Sequence, residues 1–206
     1  MVREEVRALV ALGALALASA CKGPSVPHPM TSQTRYLCCN MRYEKPEVSD
    51  ANYLKGTLIP FGTRVQILEV DRKSVKFQPA GHPPITFVLK YGDKVLTMDQ
   101  CLDRLFLAED PHAKLMRVRD DAAPQKAPRK GERARNPERA SDRVGKLIDQ
   151  GVVDVGMTRD QVLMALGYPP AHRTPALDAP VWTYWQNRWA TMQVYFDGDR
   201  VARVER

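Results

Sequence analysis

Residues 156–170 read GMTRDQVLMALGYPP, and residues 181–198 read VWTYWQNRWATMQVYFDG. The first stretch predicts a helix with both ends marked. Thr158 is a natural N-cap, and Gln161 three positions on completes a capping box. Asp160 puts negative charge where the helix dipole favours it. Val162, Leu163 and Leu166 supply an apolar face, with Ala165 between them. Gly167 ends the helix, and Pro169-Pro170 prevents its continuation. The second stretch predicts strands over 181–185 and 190–196. Trp182 and Tyr184 share one face, as do Met192, Val194 and Phe196. Asp197-Gly198 suits a tight turn into a third strand over 200–205.

Immediately upstream, Val144, Leu147 and Ile148 form the apolar stripe of another helix over 141–150. Gly151 is placed to end it in the left-handed conformation. Residues 137–206 therefore read as an α+β module of two layers, two helices on a three-stranded antiparallel sheet. The combination Gly156-Met157-Thr158-x-x-Gln161-Val162, Leu166-Gly167-x-Pro169, Trp182-x-Tyr184 and Val194-x-Phe196-x-Gly198-x-x-Val201 resembles the SmpA/OmlA (BamE-like) family of small outer-membrane lipoproteins. The resemblance implies a noncatalytic protein that binds protein partners and helps organise lipid beside the machinery that inserts outer-membrane barrels. Members of that type consist mainly of this one module behind a tether. Here it follows another domain, so other envelope binding roles are also open.

Residues 112–136 combine Pro, Ala, Lys and Arg with few bulky apolar side chains, which predicts a disordered linker. The net charge of +7 is concentrated around it. Between Lys114 and Lys146 there are eleven Lys/Arg against five Asp/Glu. Such a segment either attracts anionic lipid headgroups or peptidoglycan, or serves as a solvated spacer. Basic charge outside a folded face gives no nucleic-acid surface.

Residues 35–111 read as mostly strand. Ile85, Phe87, Leu89 and Tyr91 alternate onto one face of a strand over 85–91. Segments 64–70 and 75–77 are further strands between Gly- and Pro-rich turns. Thr97 and Gln100 form a second capping box, and Cys101, Leu102, Leu105 and Phe106 share the face of the short helix it opens. The run 36–43, then 49–53, then Gly56 to Thr63 with Ile59-Pro60-x-Gly62-Thr63 before a strand, resembles a bacterial SH3-like domain. That resemblance implies a small β-barrel, closed at one end by the helix, in a class that often binds cell-wall peptides or protein partners.

The N-terminus has charged residues Arg3 and Arg7, an apolar run over 8–17, and Ala18-Ser19-Ala20 before Cys21. This is the order of a secretory signal over 1–20, and the run is too short to span a bilayer. Small residues directly before a cysteine resemble the bacterial lipobox, which makes Cys21 the expected lipidation site and 21–34 a tether. Lys22 in the next position favours the outer membrane, facing the periplasm.

An oxidising compartment permits disulfides. The candidates are Cys38, Cys39 and Cys101, either with a bridge from one of the neighbours to Cys101 or as three buried thiols. No C-x-x-C and no paired-histidine metal spacing occurs, so neither a metal nor another cofactor is expected. No G-x-S-x-G elbow occurs. Trp185 and Trp189 are candidates for partner binding, for an interfacial anchor, or for packing beneath the loop 168–180. The expected function is that of an envelope adaptor without catalysis. The alternatives are a peptidoglycan-binding lipoprotein acting through the SH3-like domain, and an envelope enzyme that uses the cysteines.

Overall fold

The computed structural model describes residues 27–111 and 137–206. The signal segment, Cys21 and the linker 112–136 lie outside the described residues. Within them the chain is mixed α+β. Its elements are β1 (Thr34–Leu37), β2 (Met41–Tyr43), β3 (Glu47–Ser49), β4 (Thr57–Ile59), β5 (Arg64–Val70), β6 (Ser74–Pro79), β7 (Ile85–Val88), α1 (Met98–Leu105), β8 (Phe106–Leu107), α2 (Pro137–Gln150), α3 (Arg159–Leu166), β9 (Val181–Trp185), β10 (Thr191–Asp197) and β11 (Arg200–Glu205).

In the first half, six strands pair in the order β3-β7-β6-β5-β1-β8, while β2 and β4 form a separate ladder. Period-two patterning drives the larger sheet: Val65 and Ile67, Val75 and Phe77, and Ile85 and Phe87 all turn inward and are buried. Helix α1 buries Met98, Cys101, Leu102 and Leu105 in the same core. Its capping box is present. Gln100 N donates to Thr97 Oγ1 at 3.2 Å, and Thr97 N donates to Gln100 Oε1 at 2.9 Å.

The expected closed barrel is not what forms. Strands β3 and β8 end the sheet at opposite edges and do not pair with each other. Strand β8 has only two residues, and β3 enters parallel to β7, with Val48 opposite Phe87. The strand expected to run to Tyr91 also stops at Val88. The Asp50 carboxylate takes the backbone N–H groups of Lys90, Tyr91 and Gly92, which turns the chain out of the ladder. Leu89 stays buried, but Tyr91 comes to the surface.

The second half follows its local signals closely. Helix α2 starts at Pro137, four residues before the expected Ser141, as proline is tolerated in a first turn. It ends at Gly151, whose φ is +66°. Gly151 N donates to Ile148 O and Val152 N to Leu147 O, the paired bonds of a Schellman termination. Helix α3 carries the predicted Thr158–Gln161 capping box and ends at Gly167. Strands β9, β10 and β11 form an antiparallel sheet with β10 central. The β10–β11 connection is Gly198-Asp199, one residue later than the expected Asp197-Gly198.

Ile148, Val162 and Leu166 from the helices share one core with Trp182, Tyr184, Met192 and Val194 from the sheet. The Tyr184 hydroxyl donates to Gly167 O at 2.9 Å, which ties the sheet to the end of α3. Arg159 is a second tie that the sequence did not announce. Its guanidinium lies 4.2 Å from the Phe196 ring centroid and donates to the carbonyls of Leu177 and Ala179 at 2.7 and 2.9 Å.

Candidate functional site

The two halves meet along a polar seam, and the seam is built from helix ends. A helix leaves its last carbonyls without intrahelical donors. Residues of the first half supply those donors to both C-terminal helices. Asn40 Nδ2 donates to Ile148 O at 2.5 Å and to Ala165 O at 3.1 Å, and Asn40 N donates to Met164 O. Asn52 Nδ2 donates to Leu166 O and Tyr168 O at 2.8 and 2.9 Å. Arg42 donates to Gln150 O at 2.9 Å. At the far side Leu54 N donates to Trp185 O, and Tyr53 forms a parallel bridge to that residue.

Beside the seam lies a cleft of about 390 Å³. That volume is in the range of ordinary ligand sites. Its apolar lining includes Met41, Phe87, Leu96 and Leu105. Four tyrosines face it: Tyr43, Tyr53, Tyr91 and Tyr168. Lys45, Lys90, Arg104 and Arg188 bring positive charge, and none of them is in an ion pair among the described residues. The acidic groups nearby are partly spent. Asp50 serves three backbone N–H groups, and Glu44 pairs with Lys55 at 2.8 Å. Burial raises the Tyr168 hydroxyl above its ordinary range, against the pull of Arg104, which stacks on its ring at 5.4 Å. Burial and Tyr91 likewise raise Tyr53. Both phenols therefore stay neutral near pH 7 and act as hydrogen-bond donors as well as apolar walls.

Of the three candidate cysteines, Cys38 is bonded to Cys39 rather than to Cys101, and Cys101 is free and buried. Residues 38 and 39 form a bend between β1 and β2 instead of continuing a strand, so their side chains do not alternate onto opposite faces. Cys101 belongs to the core face of α1. Desolvation, reinforced by Asp50, pushes its thiol up to about 11. Near neutrality it is a thiol and a poor nucleophile. Native protein should therefore leave Cys101 unmodified by iodoacetamide under conditions that alkylate it fully after denaturation. Rapid stoichiometric labelling of the native fold would contradict this placement.

The tryptophan pair divides. Trp185 is half-buried, with the Arg173 guanidinium 5.2 Å from its ring. Trp189 is 86% exposed in the turn after β9. Among the described residues no cluster of three His, Cys, Asp or Glu is arranged to hold a metal ion, and no helix is long and apolar enough to cross a membrane. Sequence reasoning missed Asn40, Arg42, Asn52 and Asp50. Only Asn40 carried a local signal, as a polar residue inside the apolar run Leu37 to Met41. Comparison of the chain with protein-family models, with curated proteins and with solved structures finds no match.

Proposed function

We propose that this chain is a noncatalytic envelope lipoprotein that acts as an adaptor, with the cleft beside the seam receiving a segment of a protein partner. The observation that carries the reading is the cleft itself: an apolar floor, neutral phenols and unpaired cations on a frame pinned through Asn40 and Asn52. Those groups bind and orient. The Cys101 thiol is held protonated, and the other two cysteines are bonded to each other, which favours binding over nucleophilic chemistry.

The helix–helix–strand–strand–strand order of the second half supports a BamE-like module of the SmpA/OmlA kind. Cys21 would bear the lipid and hold the protein at the outer membrane, facing the periplasm. An acidic, partly apolar partner segment fits the excess of cations around the cleft.

Co-purification from detergent-solubilised outer membrane tests this reading. The parent should retain a protein partner. Lys45→Glu with Arg104→Glu should weaken that capture by at least about tenfold, because like-charge juxtaposition costs several kcal/mol. Unchanged capture by the double variant removes the cleft from the function. No captured protein, together with sedimentation on purified sacculi, moves the assignment to peptidoglycan binding.

A further inference from the structure

A band of exposed aromatic and cationic side chains crosses one end of the molecule. The loop 90–96 presents Tyr91 and Val95, 42% and 45% exposed, together with Lys90 and Lys94. The Tyr91 ring lies 5.5 Å from that of His172, next to Arg173. Arg173 covers Trp185, and Trp185 leads into the turn that holds Arg188 and the almost fully exposed Trp189. Lys90, Lys94, Arg173 and Arg188 have no ion-pair partner among the described residues. The neighbouring carboxylates are engaged. Asp93 pairs with Lys73 at 2.7 Å, Asp99 meets His28 at 3.2 Å, and Asp50 serves the loop backbone. Among the described residues the Trp189 ring has the Arg188 guanidinium 5.8 Å from its centroid, and most of its apolar surface stays open to water.

The chain enters the fold at this same end. His28 Nε2 contacts Asp99 in the first turn of α1, directly after the loop 90–96, and Met30 packs against the first core. Cys21 is six positions before Pro27, a reach of roughly 20 Å at full extension. A lipid on Cys21 would thus hold this end, more than any other, close to the bilayer.

We propose that this band is a membrane-contact surface that seats on anionic phospholipid headgroups. Trp189, Tyr91 and Val95 enter the interfacial layer, where tryptophan and tyrosine partition, and the four cations meet the lipid phosphates. The orientation argument rests on the reading of Cys21 as lipid-bearing; the side-chain argument does not. Each basic residue near an anionic surface strengthens binding roughly fivefold, so reversing two of them should weaken contact by at least about twentyfold.

The test uses the full chain purified in detergent and reconstituted with vesicles of phosphatidylcholine, with or without phosphatidylglycerol, whose acyl chains carry bromine. Bromine quenches tryptophan on contact. In phosphatidylglycerol vesicles the parent should be quenched, and Trp189→Phe should lose most of that quenching because Trp182 is fully buried and Trp185 is half-buried beneath the Arg173 guanidinium. Lys94→Glu with Arg173→Glu, neither of which lines the cleft, should reduce it likewise. Vesicle-floated protein with equal quenching in the parent and Trp189→Phe overturns the proposal, as does equal quenching with and without phosphatidylglycerol. A Cys21→Ala arm separates the two readings. If it abolishes flotation while Trp189 in the parent is unquenched, the anchor stands and the band falls. If it floats unchanged with Trp189 quenched, the band stands and the anchor falls.

Discussion

Asn40→Asp should destabilise the protein by about 3–5 kcal/mol, the range for breaking a buried, fully used polar group so that an uncompensated charge remains. The side chain is 4% exposed and employs all its near neighbours. Its amide nitrogen donates to Ile148 O and Ala165 O, and its oxygen accepts from Phe61 N at 2.7 Å. Aspartate keeps the acceptor for Phe61 but turns the two-donor nitrogen into a second anionic oxygen facing two carbonyls. Asn40→Ala should cost less, about 2–4 kcal/mol, because it leaves unpaired groups without adding a charge.

The aspartate variant carries a pH signature. Facing carbonyls in a desolvated site, its carboxyl pKa rises in the folded state above the unfolded value of about 3.9. Stability of the variant relative to the parent is then best below that unfolded value, where a protonated carboxyl can still donate one bond. It is lost as pH rises through the folded-state pKa. Urea unfolding at several pH values, referenced to the parent at each, reads this directly. A deficit that is flat with pH, or below about 1 kcal/mol, would show that Asn40 does not join the halves as described.

The same residue shows where sequence reading reaches its limit. Caps are local chemistry. Thr158 with Gln161, Thr97 with Gln100 and Gly151 each act within about one helical turn, so both capping boxes and the Schellman end could be read from neighbouring letters. The alternation of Trp182 and Tyr184 predicted their full burial for the same reason. The seam is different. Asn40 bonds residues 108 and 125 positions away, and Asn52 one 114 positions away. No local pattern distinguishes an asparagine that will cap a distant helix from one that faces water.

Closure of the first sheet was equally illegible. Alternation shows which face of a strand is buried, but not which edge finds a partner. The parallel entry of β3 beside β7 joins residues 47–49 to 86–88 and depends on how the intervening strands twist. The disposition of the cysteines followed from a bend at residues 38–39 that the apolar run around them concealed.

Trp182→Ala and Trp189→Ala should give opposite results although they delete the same side chain from one strand and the turn that follows it. Trp182 is fully buried, stacks on Phe196 at a centroid distance of 4.7 Å, and donates Nε1–H to Leu177 O at 3.2 Å. Its removal leaves a cavity beneath the loop 171–180, strips one wall from the Arg159 guanidinium 5.3 Å away, and takes one of two donors from Leu177 O, which Arg159 still serves. The expected loss is about 3–5 kcal/mol, a large share of the stability of a domain this size. Trp189 is 86% exposed, and its backbone N–H, which the substitution keeps, donates to Asn187 Oδ1. Its removal should move stability by less than about 0.5 kcal/mol while weakening the vesicle contact of a Cys21→Ala protein that lacks the anchor. Thermal unfolding of both variants followed by far-UV circular dichroism, alongside vesicle flotation of both in the Cys21→Ala background, separates the roles. A Trp189→Ala protein as unstable as Trp182→Ala would mean that the exposed ring packs against structure, and the contact surface would lose its central residue. A Trp182→Ala protein of near-parental stability would mean that the core of the second half lies elsewhere. The contrast between them rests on burial and the contacts it brings, since the deleted side chain is the same.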